Sequence, residues 1–137
     1  MPRFVGCNEN APGDYNASMR FVLLQHDMPV DSDRDSHLDL MLESGDALRT
    51  WSIAAFPSGE SVELAEELPD HRLAYLDYEG PVSNNRGEVS QVDCGEHEVQ
   101  SATDDLLVMR LLGEKYRGTA QLKRVRDKVW ELTFRSS

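Results

Sequence analysis

The sequence predicts a mainly β protein, a small antiparallel barrel, closed or partly open, with short helical turns. Three observations carry that expectation. Residues 37–43, His-Leu-Asp-Leu-Met-Leu-Glu, alternate polar and apolar without a break, the pattern of a strand with one face on a core. Short apolar runs recur between turn signals at Ser44-Gly45-Asp46, at Gly113 and Gly118, and at Arg126-Asp127-Lys128. The last run, 129–134, puts Trp130, Leu132 and Phe134 on one face. A chain of 137 residues suggests one domain, long enough to bury a core without staples.

Residues 1–19 are rich in Asn, Gly, Pro and Ala without a period and read as an irregular arm, leaving 20–137 as the barrel domain. Residues 20–26 read as a strand. Residues 27–36 form a polar loop broken by Pro29. Strand 37–43, the Ser44-Gly45-Asp46 turn and the run around Trp51 and Ile53 make a hairpin over 37–54. Residues 61–68 fit either a short acidic helix or an edge strand, which Pro69 should end. Residues 70–79 show no clean period, and 80–87 form a loop with Pro81, Asn84, Asn85 and Gly87. Residues 88–94 alternate weakly, with Val89 and Val92 out of phase. A helical turn is expected at 103–106. Strands are expected at 107–112, 119–125 and 129–134, with a turn at 126–128.

Net charge is −11, which weighs against broad contact with nucleic acid, because such binding draws on Lys and Arg facing phosphates. The basic residues Arg110, Lys115, Arg117, Lys123, Arg124, Arg126 and Lys128 cluster late in the chain and read as exposed faces of strands and turns. No apolar run approaches a membrane span, and the N-terminus lacks a signal-peptide core. Cys7 and Cys94 are too few for a disulfide framework and are expected as free thiols of a cytoplasmic protein.

The chain has four histidines. His37 and Asp39 lie two apart on one strand face, roughly 6.5 Å apart at Cα, and His26 ends the preceding strand. Imidazole and carboxylate converging this way suit zinc, manganese or iron. The competing reading is three ordinary solvent-facing strand residues. The Asp31-x-Asp33-x-Asp35 run mimics a calcium loop, but Ser36 stands where glycine is needed and Glu43 comes one residue late. His71 and Tyr75 have the types of a proton donor and a hydrogen-bond donor. His97, in Gly-Glu-His-Glu, reads as an exposed turn.

Five segments, in order, resemble the 3′-phosphoesterase domain of bacterial DNA ligase D. They are Arg20-Phe-Val-Leu-Leu-Gln-His26-Asp27, the His37–Glu43 strand, Leu48-Arg-Thr-Trp51-Ser-Ile, Asp70-His71-Arg-Leu-Ala-Tyr75-Leu-Asp-Tyr78-Glu-Gly80, and Leu112-Gly-Glu-Lys-Tyr-Arg-Gly118 with the closing strand. The resemblance covers residues 20–134 and implies a divergent, stand-alone member. It implies a small β-barrel that uses manganese, or another divalent ion such as zinc, to remove a 3′-phosphate or terminal ribonucleotide. His26, His37 and Asp39 would be the metal ligands. His71 would contact the scissile phosphate and protonate the leaving group, and Tyr75 would support that phosphate.

The chain also departs from the family pattern. Met41 stands where the family has an arginine, Leu24 replaces a glutamine, and Glu63 replaces another arginine. Arg72 and Arg86 are the candidates to replace the lost phosphate clamp. Expected partners are nucleic-acid 3′ ends or a small nucleotide, with DNA-repair proteins alongside, no membrane, and a monomeric state. The alternative is a non-catalytic descendant that binds metal, a small ligand or a protein.

Overall fold

In the computed structural model, residues 3–4 and 19–137 are described. The elements are β1 (Arg3–Phe4), β2 (Met19–Asp27), β3 (His37–Ser44), β4 (Ala47–Ile53), β5 (Glu63–His71), a 3-10 turn (Leu73–Leu76), β6 (Tyr78–Pro81), β7 (Glu88–Ala102), β8 (Leu106–Gly113), β9 (Arg117–Arg126) and β10 (Val129–Ser136). Eight antiparallel strands close into a barrel in the order β7-β2-β3-β4-β5-β10-β9-β8, and β7 pairs with β8 to seal it. Closure removes the exposed edges an open sheet would present. The start of β7 also carries β6, through Gly80 opposite Val89, and β6 carries β1. The 37–54 hairpin and the three late strands form as the alternation predicts. No helix among the described residues is long and apolar enough to cross a membrane.

The barrel interior is filled by alternate residues of each strand. Phe21 and Leu23 of β2, Leu40 and Leu42 of β3, and Trp130, Leu132 and Phe134 of β10 meet there, with Trp51 and Trp130 edge-to-face at 5.6 Å. A second apolar cluster lies outside the same wall. Val22, Leu24, Met41, Leu48 and Val89 are covered by Leu76 of the 3-10 turn, with Leu73, Tyr75 and Tyr78 beside it. Both faces of β2 and β3 are therefore buried over much of their length. This overturns the solvent-facing alternative for His37 and Asp39, which are 7% and 2% exposed. Alternation alone says which residues share a face. It does not say that a later segment will fold back over that face.

Several further expectations need correction. Residues 61–68 are a strand, but Pro69 does not end it: β5 runs on to His71. The register with β4 jumps from Leu68 opposite Thr50 to His71 opposite Leu48. Pro69 and Asp70 thus sit in a bulge, beyond the last β10 pairing at Glu66, where a missing N–H costs no ladder bond. A bulge in β7, where Leu23 faces Asp93 and Leu24 faces Gln91, also accounts for the phase break at Val89 and Val92. Val89 joins the outer cluster and Val92 the inner one. The helical turn expected at 103–106 is absent: residues 103–105 are a non-helical connection into β8, which begins at Leu106, and Thr103 N–H donates to the Leu106 carbonyl at 2.8 Å. His97 is no exposed turn. It lies within β7, 3% exposed, with Nε2 3.2 Å from the Glu43 carbonyl. Cys94 is disulfide-bonded rather than free, and Cys7 lies outside the described residues.

One carboxylate of β7 ties down the connection between β8 and β9. Asp93, 4% exposed, accepts the backbone N–H groups of Glu114, Lys115 and Tyr116 at 2.8–2.9 Å. It closes the β8–β9 connection. A Cβ at Gly113 would lie 2.1 Å from its Oδ2, so glycine is required there for the approach.

Candidate metal centre and cleft

The β2–β3 pairing sets His26 directly opposite His37 and Leu24 opposite Asp39. The two imidazoles meet at 4.9 Å between centroids, tilted by 47°. His26, His37 and Asp39 each offer a ligand atom, and the three atoms lie within 4.8 Å of one another. His26 is partly covered, its side chain 14% exposed.

Hydrogen bonds on the outer side of each ring fix where the lone pairs point. His26 Nε2 lies 2.7 Å from the Arg86 carbonyl and His37 Nδ1 lies 2.9 Å from the Asp35 carbonyl. A carbonyl only accepts, so both nitrogens must donate. The opposite nitrogens then carry the lone pairs of the neutral rings. His26 Nδ1 faces Asp39 Oδ2 at 3.1 Å, and His37 Nε2 faces Asp39 Oδ1 at 3.2 Å. The second approach is not a hydrogen bond: both buried atoms lack a partner. Two acceptors held this close, out of water, want a cation between them.

The electrostatics agree. The bond to Asp39 raises the His26 pKa above the ordinary histidine value, against the opposing effect of burial. Burial is the largest single influence on Asp39 and pushes its carboxyl up, but the two neighbouring imidazoles, His26 first, together outweigh it and the net shift is down. The site therefore favours an ionised carboxylate at Asp39. Two imidazoles oriented by backbone carbonyls, with a carboxylate between them, fit a divalent transition ion by donor type and by outer support.

The triad opens into a cleft of about 520 Å3, and the cleft collects the other expected residues: His71, Arg72, Tyr75 and Arg86 all line it. His71 ends β5 beyond the bulge, and its Nδ1, 2.9 Å from the Pro69 carbonyl, donates to it. Nε2 is left for the cleft. Tyr75 packs edge-to-face on His71 at 5.7 Å and on Tyr78 at 5.8 Å. The turn that carries Tyr75 is tied down from three directions. Leu76 is buried, its carbonyl accepts from the Gln91 amide at 3.0 Å, and Asp77 takes both terminal nitrogens of Arg20 at 2.6 and 3.3 Å.

The two arginines expected to hold phosphate differ. Arg72 is exposed at the start of the 3-10 turn. The Arg86 guanidinium is engaged by Ser83, through its carbonyl at 2.8 Å and its hydroxyl at 3.1 Å. Arg86 supports the triad through its backbone, a role the sequence reading missed. Its signal was the Asn84-Asn85-Arg86-Gly87 turn, in which Asn84, Asn85 and Gly87 all have positive φ. A Cβ at Gly87 would lie 2.1 Å from the Asp27 carbonyl oxygen, so glycine lets that turn press against the end of β2 beside His26. Met41, 1% exposed, lines the cleft along the same strand as His37 and Asp39. Arg34, from the loop between β2 and β3, also lines it and was not singled out by the sequence.

A comparison with curated proteins gives no match. A family model described as the DNA ligase D 3′-phosphoesterase domain matches residues 25–124. That span takes in the triad, His71, Tyr75, the Arg86 turn and the strands from β3 to most of β9. With most of its length matched, and with a closed antiparallel barrel as its fold, the chain belongs to the DNA ligase D 3′-phosphoesterase domain family.

Proposed function

We propose that this protein is a divalent-metal-dependent phosphoesterase that hydrolyses a phosphomonoester or phosphodiester. Nucleic-acid 3′ ends are the first substrates to test. A small nucleotide is the substrate easier to reconcile with a net charge of −11. The observation that carries the reading is the unsatisfied approach of His37 Nε2 and Asp39 Oδ1 beside His26 Nδ1. His26, His37 and Asp39 would hold manganese, or zinc in its place. The chemistry supplied by such an ion is polarisation of a phosphoryl oxygen and a more acidic water.

The chain's own residues do the rest. The Arg86 and Asp35 carbonyls keep both ligand nitrogens aimed inward. His71, with Nδ1 committed to Pro69, presents Nε2 and, as the imidazolium, gives its proton to the leaving oxygen. Tyr75 fixes the His71 ring by packing and offers its hydroxyl to the phosphoryl group. Met41 and Val89 make one side of the cleft apolar, which strengthens each polar contact within it.

The test is a manganese titration by calorimetry, run beside phosphate release from a 3′-phosphorylated oligonucleotide and from a nucleoside 3′-phosphate. His37→Ala should abolish both metal uptake and release. His71→Ala should keep the metal and lower turnover about 100- to 10,000-fold. Absence of metal uptake by the unaltered protein would overturn the reading. A second reading, a non-catalytic descendant, is favoured by Met41 standing where the family has an arginine, because a thioether cannot neutralise phosphate. Metal uptake without turnover on any 3′-phosphate, ribonucleotide end or generic ester would select it.

A further inference from the structure

We propose that Arg34, on the loop between β2 and β3, is the anion anchor of the cleft and meets the terminal phosphoryl oxygens of the substrate from its rim. The inference rests on the phosphoesterase reading and adds a residue to it. Three arginines line the cleft, Arg34, Arg72 and Arg86, against two carboxylates, Asp39 and Asp70. With the histidines neutral, that is one excess positive charge on a chain of net charge −11. A cleft of this sign on an acidic body selects small anions over long polyanions.

The three guanidinium groups are not equivalent. That of Arg86 is committed to Ser83 through Nε and Nη2. Arg72 stands next to His71, at the entrance to the 3-10 turn. Arg34 is exposed, and among the described residues only its backbone N–H is bonded, to Ser32 Oγ at 3.1 Å. The acids beside it in sequence, Asp33 and Asp35, are not part of the cleft lining, whereas Arg34 is. Arg34 lines the same cleft as His26, His37 and Asp39. Met41 shows why a rim residue is needed. A guanidinium at that position would be buried in the outer apolar cluster, and the thioether there leaves the anion to be met from the loop. Arginine suits this task because its planar fork can bond two phosphoryl oxygens at once.

The manganese-loaded protein is the material for the test. Orthophosphate binding is measured by calorimetry, and KM and kcat are measured on a nucleoside 3′-phosphate. Arg34→Ala should weaken orthophosphate about 10- to 100-fold and raise KM by a similar factor, with manganese affinity unchanged. Arg34→Lys should recover part of the loss, since it keeps the charge without the fork. Lys123→Ala, on the outer face of β9, is the control and should change neither value. Unchanged orthophosphate binding and KM in Arg34→Ala, in a protein that still turns over, would overturn the anchor and leave the phosphoesterase reading standing. Orthophosphate bound through Arg34 without turnover on any ester would uphold the anchor and remove the phosphoesterase reading. No orthophosphate binding by the unaltered protein would overturn the anchor.

Discussion

Replacing Gly87 by alanine should weaken the metal centre without touching any of its ligands. Gly87 has φ near +87°, where an L side chain costs roughly 1–2 kcal/mol. The new Cβ would also lie 2.1 Å from the Asp27 carbonyl oxygen and 3.2 Å from the Met28 Cα, where ordinary contact begins at 3.4 Å. Both obstacles are backbone, so relief has to come from the turn itself, which must retreat by about 1.3 Å. The Arg86 carbonyl, one residue earlier, retreats with it, and its 2.7 Å bond to His26 Nε2 is lost. Loss of such outer support typically costs 10- to 100-fold in metal affinity, or about 1.4–2.7 kcal/mol. Gly45→Ala is the matched control: its φ is +66° and nothing lies within 4 Å of the added Cβ, so it carries the conformational cost alone. Manganese titration of the two variants beside the parent, with urea midpoints to confirm folding, separates the effects. Equal affinities in all three folded proteins would refute the claim that the Arg86 carbonyl orients His26.

Asp93→Ala removes the acceptor of three backbone N–H groups in a buried position. It should lower unfolding free energy by about 3 kcal/mol, read as a shifted urea midpoint, while manganese affinity stays unchanged, because Asp93 belongs neither to the triad nor to the cleft lining. Burial depresses the His97 pKa below the ordinary 6.5, against the raising effect of its Glu43 contact. The unfolded chain therefore takes up this proton first, and stability held above pH 6.5 is lost as pH falls from there through the folded value. Urea midpoints between pH 7.5 and 5.0 should fall less steeply in His97→Gln, and parallel curves would rule this out. Arg20→Ala breaks a partly exposed pair with Asp77 and should cost no more than about 1 kcal/mol. Because that pair tethers the turn bearing Tyr75, turnover should drop more than stability does, and a double cycle with Asp77→Ala should show strong coupling in kcat.

What the sequence could reveal follows from what each feature depends on. His26, His37 and Asp39 were visible because strand alternation is local, and the hairpin turn at Gly45 sets the register next to them. His71 and Tyr75 could be named but not placed. Their position depends on the Pro69–Asp70 bulge and on a 3-10 turn too short to show a period. His97 reads as a turn because β7 runs 15 residues through Gly95, and a glycine in the polar run Gly-Glu-His-Glu looks like punctuation. That glycine is a close approach, since a Cβ there would lie 2.2 Å from the Leu112 carbonyl oxygen. Arg34 and the Arg86 carbonyl were hidden for a simpler reason. Their roles come from loops meeting across the cleft, and no pattern within either loop records the meeting.

The two faces of β3 give the metal centre a second office. His37, Asp39 and Met41 look outward, while Leu40 and Leu42 fill the barrel. A slip of one residue against β2 would exchange those sets, driving an imidazole and a carboxylate into the apolar interior and turning leucines toward the cleft. The ligands thus act as a reading frame for the wall that carries them. An ion bound to them would penalise every misregistered barrel by the whole of its binding energy.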